Sequence, residues 1–94
     1  MTLSEIAHVV LAEALAARAC AVSVTVRPHR VDAVVYDHRV VVEVRHGILR
    51  VAFVHPNPGD GPATRDQRVA LDDADAGVVG VMVRGAIAVG LTPF

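Results

Sequence analysis

The chain has 94 residues, 53% of them hydrophobic and 20% charged, which is too apolar for a disordered segment and enough for one domain, residues 1–94. Nine basic residues against ten acidic ones leave a formal net charge of −1, so no bulk field draws the chain toward nucleic acid or an anionic membrane. A charged site, if present, is a local patch.

The first element is a helix. Thr2 or Ser4 caps it, Glu5 stands three residues after Thr2 as in a capping box, and an Ala- and Leu-rich stretch runs to Ala19. Ile6, Val9, Val10, Leu15 and Ala17 lie on or near one face, bordered by Glu5, His8, Glu13 and Arg18. From Ala21 the period changes to two. Val22, Val24 and Val26 alternate with Ser23, Thr25 and Arg27, the pattern of a half-buried strand that ends at Pro28. Val31 to Tyr36 is a second, less regular extended segment. Val40, Val42 and Val44 then alternate with Val41, Glu43 and Arg45, and His46-Gly47 makes a two-residue turn into Ile48 to Val54, where Leu49, Val51 and Phe53 share a face.

Between His55 and Pro62 three prolines and two glycines exclude regular structure, which makes this stretch a loop. Arg65 to Ala76 suits a short helix, or a strand at Arg68 to Leu71. The last segment has conflicting signals. Val78, Val79, Met82, Val83, Ala86 and Ile87 fall on a helical stripe, and Asp72, Asp73 and Asp75 fit a helix N-terminus. Gly77, Gly80 and Gly85 would each cost a helix about 1 kcal/mol relative to Ala, and the β-branched residues favour strands. The balance favours extended structure broken near Gly85. The fold class is α+β, an antiparallel meander of three to four strands packed on the N-terminal helix.

Thr2-Leu3-Ser4-Glu5-Ile6-Ala7, Val22-Ser23-Val24-Thr25-Val26-Arg27-Pro28 and Val40-Val41-Val42-Glu43-Val44-Arg45 occur in the order helix, strand, strand. This text resembles the C-terminal half of the dihydroneopterin aldolase family, whose members have the tunnelling fold. The resemblance covers residues 2–45, just under half of the chain, and implies a reduced or permuted tunnelling fold that binds a pterin or purine-like heterocycle at an oligomer interface. It makes Glu5 the anchor for the guanidine-like edge, since a carboxylate accepts two parallel N–H bonds. Arg27 falls where the family has a lysine before proline, which makes it a second ligand-binding residue and the candidate catalytic one. A guanidinium stays protonated at working pH, so Arg27 is poorly suited to the lysine's proton transfer, and whether the chain is an enzyme stays open. The chain also begins at the matched helix, without the two strands and the helix that precede it in the family.

Other constellations carry less. A meander brings His29 and His46 to one end of the sheet and His38 and His55 to the other, with Asp32 and Asp37 as further ligands, but no compact ligand motif exists and no metal or cofactor is expected. Asp32 with Glu43-Val44-Arg45 lacks the lysine and following helix of a nuclease site. Asp72 to Gly77 has Ala74 and Ala76 where a calcium loop needs oxygen ligands. One sheet face displays Arg27, Arg39, Arg45 and Arg50 beside Ser23, Thr25, Val41 and Glu43, which suits phosphates or an acidic protein partner. Non-catalytic interaction or assembly through this face or a sheet edge is therefore the alternative function. Every basic residue is Arg, which the base composition of a GC-rich gene also explains. Three aromatic residues are too few for a stacking platform, so nucleic acid is not an expected partner. Open strand edges lead to the expectation of a homo-oligomer. The lone Cys20, the lack of a signal-like start and the lack of a spanning segment lead to that of a cytoplasmic protein without membrane contact.

Overall fold

The computed structural model describes residues 1–17, 22–35, 38–54 and 66–91. Helix α1 (Leu3–Ala16) is followed by strands β1 (Val22–Arg27), β2 (Arg30–Val35), β3 (His38–Arg45), β4 (Ile48–Val54) and β5 (Asp66–Ala70), a single 3₁₀ turn at Leu71–Asp73, and helix α2 (Ala76–Leu91). The strands form one antiparallel sheet in the order β1-β2-β3-β4-β5. The fold is thus the expected α+β meander on an N-terminal helix, extended by a fifth strand and a second helix.

The local chemistry explains most boundaries. At α1 the Thr2 hydroxyl accepts a bond from the Glu5 N–H at 3.1 Å, and the Glu5 carboxylate accepts one from the Thr2 N–H at 3.1 Å, the reciprocal capping box the spacing predicts. Ile6, Val10 and Ala14, four residues apart, are fully buried. Leu15 is instead 59% exposed. It follows Val10 by five residues, a rotation of about 140° around a helix of 3.6 residues per turn, and so leaves the core face to Ala14. The β3–β4 connection is the expected two-residue turn, with His46 at φ 55° and Gly47 at φ 73°, the positive pair of a type I′ hairpin.

The C-terminal segment differs from its expected extended form: it is helix α2. Val79, Met82, Val83, Ala86 and Ile87 are all buried against the sheet and α1. Burying four large apolar side chains is worth about 1.5–3 kcal/mol each, which exceeds the roughly 4 kcal/mol that the four glycines of the helix, Gly90 included, cost. Asp75 caps this helix, accepting the Val78 N–H at 2.8 Å. Gly80 also has a packing reason, since a Cβ there would lie 3.3 Å from Glu13 Oε1 and 3.8 Å from Val9 Cγ1 on α1.

Both helices lie on one face of the sheet. Val31, Ala33, Val35, Val40, Val42, Leu49, Val51 and Phe53 meet Ile6, Val10 and Ala14 of α1 and the buried stripe of α2 in a single core. The side chains between them in sequence point to the other face, on which no described helix packs. The loop expected at His55 to Pro62 and the residues past Ala17 in the first helix lie outside the described residues.

Gly85 and Gly80 separate propensity from packing. A Cβ at Gly85 meets nothing nearer than Gln67 Nε2 at 3.8 Å, so Gly85→Ala is expected to stabilise by up to about 1 kcal/mol in urea unfolding. Gly80→Ala should gain less or lose stability, because Glu13 must give way. Equal gains at both positions would contradict this packing account.

Candidate functional site

The helix-free face is organised by the register. Arg27 of β1 faces Arg30 of β2, Arg30 faces Glu43 of β3, Glu43 faces Arg50 of β4, and Arg50 faces Arg68 of β5. One row across five strands therefore holds four arginines and one carboxylate. Arg39 and Arg45 lie on the same face along β3, which brings six of the nine arginines to it. Asp32 and Glu43 are its described carboxylates, and Asp66 falls in the same row as Asp32 by register. Arginines outnumber acids two to one even with Asp66 counted.

Like charges placed directly opposite on neighbouring strands are destabilising, so the Arg27–Arg30 and Arg50–Arg68 pairs work against the sheet. The first pair has a local remedy. Asp32, one row further in, is only 8% exposed; its Oδ2 accepts from Arg27 Nε at 3.0 Å and lies 3.3 Å from Arg30 Nε. One buried carboxylate thus holds both guanidiniums, whose side chains stay 55% and 42% exposed. Asp32 Oδ1 is buried without a hydrogen-bond partner, so the carboxylate retains unused acceptor capacity beneath the row.

The face ends in a cleft of about 250 Å³ lined by Glu43, Arg45, His46, Ile48, Arg50 and Arg68. Its frame is cross-tied. The Val44 N–H donates to the His29 carbonyl at 2.8 Å, joining the β1–β2 turn to β3, and the Leu71 N–H donates to the Gly47 carbonyl at 2.8 Å, joining the end of β5 to the β3–β4 turn. The turns that hold His29 and His46 therefore lie at one end of the sheet, but the described residues contain no group of three or more ligating side chains that could hold a metal. His38 packs its ring edge-on to Phe53 with centroids 5.1 Å apart. Its expected companions, His55 and Asp37, lie outside the described residues.

The two residues singled out by the aldolase resemblance are not brought together within one chain. Glu5 is exposed at the start of α1, on the helix side of the sheet, and serves its own helix cap. Hydrogen bonds from Thr2, the backbone one foremost, hold its carboxyl below the usual range. Arg27 points to the opposite face and binds Asp32. A second concavity, of about 390 Å³, lies between the helices and is lined by Glu13, Ala16, Ala17, Arg84, Ile87 and Ala88. Arg84 donates to Glu13 through Nε at 2.9 Å and Nη2 at 3.0 Å, a two-pronged pair that lowers the Glu13 pKa and raises that of Arg84.

Arg30, Arg68 and the counter-ion role of Asp32 escape a reading of the sequence. Pro28-His29 lacks the glycine or asparagine of a tight hairpin, and neither residue has a positive φ, so nothing announces that Arg27 and Arg30 flank a turn and pair. Comparison with protein-family models, curated proteins and solved structures finds no match to this chain. Among the described residues no helix is long and apolar enough to cross a membrane.

The Glu13–Arg84 pair tests whether the helices are tied by charge. The folded-state pKa of Glu13 is depressed, so its contribution is present above the unfolded value near 4.5 and is lost as pH falls through the folded value. Glu13→Gln should therefore lower stability modestly at pH 7 and by less at pH 3, measured by urea unfolding at both. An equal effect at the two pH values would show that the pair contributes through shape, not ionisation.

Proposed function

We propose that this domain is a non-catalytic interaction module that recognises an acidic protein partner through the arginine-bearing face of its sheet. The observation that carries this reading is the cross-strand row Arg27–Arg30–Glu43–Arg50–Arg68, in which like charges oppose one another although folding alone favours alternating signs. Guanidiniums suit the task because each offers a planar fork of donors to a carboxylate and is less strongly hydrated than an ammonium. Asp32 acts as a positioning residue, holding Arg27 and Arg30 with their outer parts in solvent. The near-neutral chain, net −1, thereby presents a strongly cationic face without a cationic whole.

Heterocycle binding at an oligomer interface is the second reading. It is supported by a helix that starts after Thr2 and by the matched strands β1 and β3, although β2 lies between them, and by the outer edges of β1 and β5, with which no described strand pairs. It requires Glu5 and Arg27 to come from different subunits, since one chain holds them on opposite sides of the sheet. Native mass spectrometry with neopterin added tests it through retained ligand on a homo-oligomer.

The first reading is tested by fluorescence anisotropy with a fluorescein-labelled peptide of alternating Asp and Glu. Saturable binding at low salt that disappears near 0.5 M salt is expected, where the screening length falls to roughly 4 Å. The Arg30→Gln, Arg39→Gln double variant leaves Arg27 on Asp32 and should weaken binding about tenfold, which corresponds to 1.4 kcal/mol. Arg84→Gln, on the helix side, should have no effect. Equal weakening by Arg84→Gln, or no saturable binding by the unaltered protein, would remove the case for this face.

A further inference from the structure

We infer that the flank formed by the outer edge of β1 and the side of α1 above it is a self-association surface, on which a second copy of this chain pairs antiparallel, β1 against β1, and joins the two five-stranded sheets into one. No described strand pairs with the outer edge of β1, and Ser23, Thr25, Val26 and Arg27 are exposed. An edge of this kind presents backbone N–H and C=O groups outward, so the occupant it fits is another strand. The two edges of the sheet differ in their defences. β5 reads Asp66-Gln67-Arg68, with charged residues that discourage pairing, whereas Val22 to Val26 of β1 contains no charged residue.

The helix side of that edge is apolar. Val26 stands opposite the core residue Val31 and so shares its face of the sheet, yet it is 51% exposed. Leu11 and Leu15 of α1 are 38% and 59% exposed. Their direction follows from the helix. Val9 and Glu13 lie against Gly80 and Arg84 of α2, and Leu11 and Leu15 come two positions later, about 200° around α1. Because α1 packs on β1 and β2 while α2 packs on β3 and β4, the side of α1 turned away from α2 lies toward the outer edge of β1. Leu11, Leu15 and Val26 therefore share one flank with the outward backbone groups of β1.

Self-complementarity makes the occupant a second copy. Antiparallel pairing of β1 with itself about a two-fold axis at Val24 sets Val22 opposite Val26 and Val24 opposite Val24 on the helix side, and Ser23 opposite Thr25 on the other, so that no charge is opposed. The helices then fall at packing distance. With α1 seated over the β1–β2 pair, its axis and that of its copy are separated by two strand spacings, about 10 Å, against the roughly 8–10 Å of packed helices, and Leu11 and Leu15 point into the gap from both sides. The flank is about 20 Å long, the length of β1 and of α1, and about as deep through sheet and helix, which gives roughly 400 Å² per copy. That is about half of a standard interface, so the dimer is a reversible one. Each copy keeps Glu5 on the helix side and Arg27 on the other, which makes this association independent of the heterocycle reading and lays two arginine faces side by side.

The test is sedimentation equilibrium of the whole chain from about 10 μM to about 1 mM, with amide hydrogen exchange at both ends of that range. A monomer–dimer equilibrium with a dissociation constant of about 10–100 μM is expected, and exchange of alternate β1 amides should slow as the concentration rises. Leu15→Lys and Val26→Lys, both at exposed positions, should each weaken association at least about tenfold by setting like charges across the two-fold axis. Val81→Lys, at a position on α2 that is 64% exposed, should leave it unchanged. Urea midpoints of the variants at the lowest concentration separate lost association from lost folding, and the exchange result on the unaltered protein decides where a variant fails to fold. A chain that stays monomeric throughout the range overturns the inference and assigns the flank to a strand of another protein. Association that Val81→Lys weakens as much as Leu15→Lys, or that protects β5 amides and not those of β1, overturns it as well.

Discussion

Strand side chains alternate between two faces, and here that alternation separates the apolar core from the arginine-bearing face. Along β3, Val40 and Val42 are buried beneath the helices while Arg39 and Arg45 reach the other face, and β4 repeats the division with Leu49, Val51 and Phe53 against Arg50. A shift of register by one residue would exchange the two sets and place guanidiniums in the core. The apolar side therefore fixes the register, and the fixed register in turn sets the arginines opposite one another. The charge row follows from the core as much as from its own residues.

Within that row the two like-charged pairs are treated differently. Arg27 and Arg30 are drawn together by a buried Asp32, which limits their repulsion and fixes their direction. Arg50 and Arg68 also face each other by register, beside the His46-Gly47 turn, and each has interactions of its own.

Much of this was legible in the sequence wherever one local rule dominated. The capping box of Thr2 and Glu5, the alternation of β1, β3 and β4, and the His46-Gly47 turn follow from spacing alone. Helix α2 was not legible, because four glycines and several valines oppose helix formation locally while the burial of Val79, Met82, Val83 and Ile87 against a distant sheet decides the matter. Strand β5 was legible only as one of two alternatives, a strand at Arg68 to Leu71 or a short helix, because its text is polar; the strand runs from Asp66 to Ala70. Of the recognition face, four arginines were visible from alternation, but Arg30 and Arg68 depend on which strands pair. The role of Asp32 depends on a Pro28-His29 turn with no hairpin signature. The aldolase resemblance identified Glu5 and Arg27 by sequence neighbourhood, which carries no information on the side of the sheet each one occupies.

The central claim is that the outer arginines away from Asp32 serve binding and not folding. Urea unfolding of a variant carrying Arg39→Gln, Arg45→Gln and Arg68→Gln together at low ionic strength tests it most directly. The account predicts a stability within about 0.5 kcal/mol of the unaltered protein, with an unchanged dependence on urea. A loss of more than about 1.5 kcal/mol would contradict it, because the guanidiniums would then be part of what holds the sheet together.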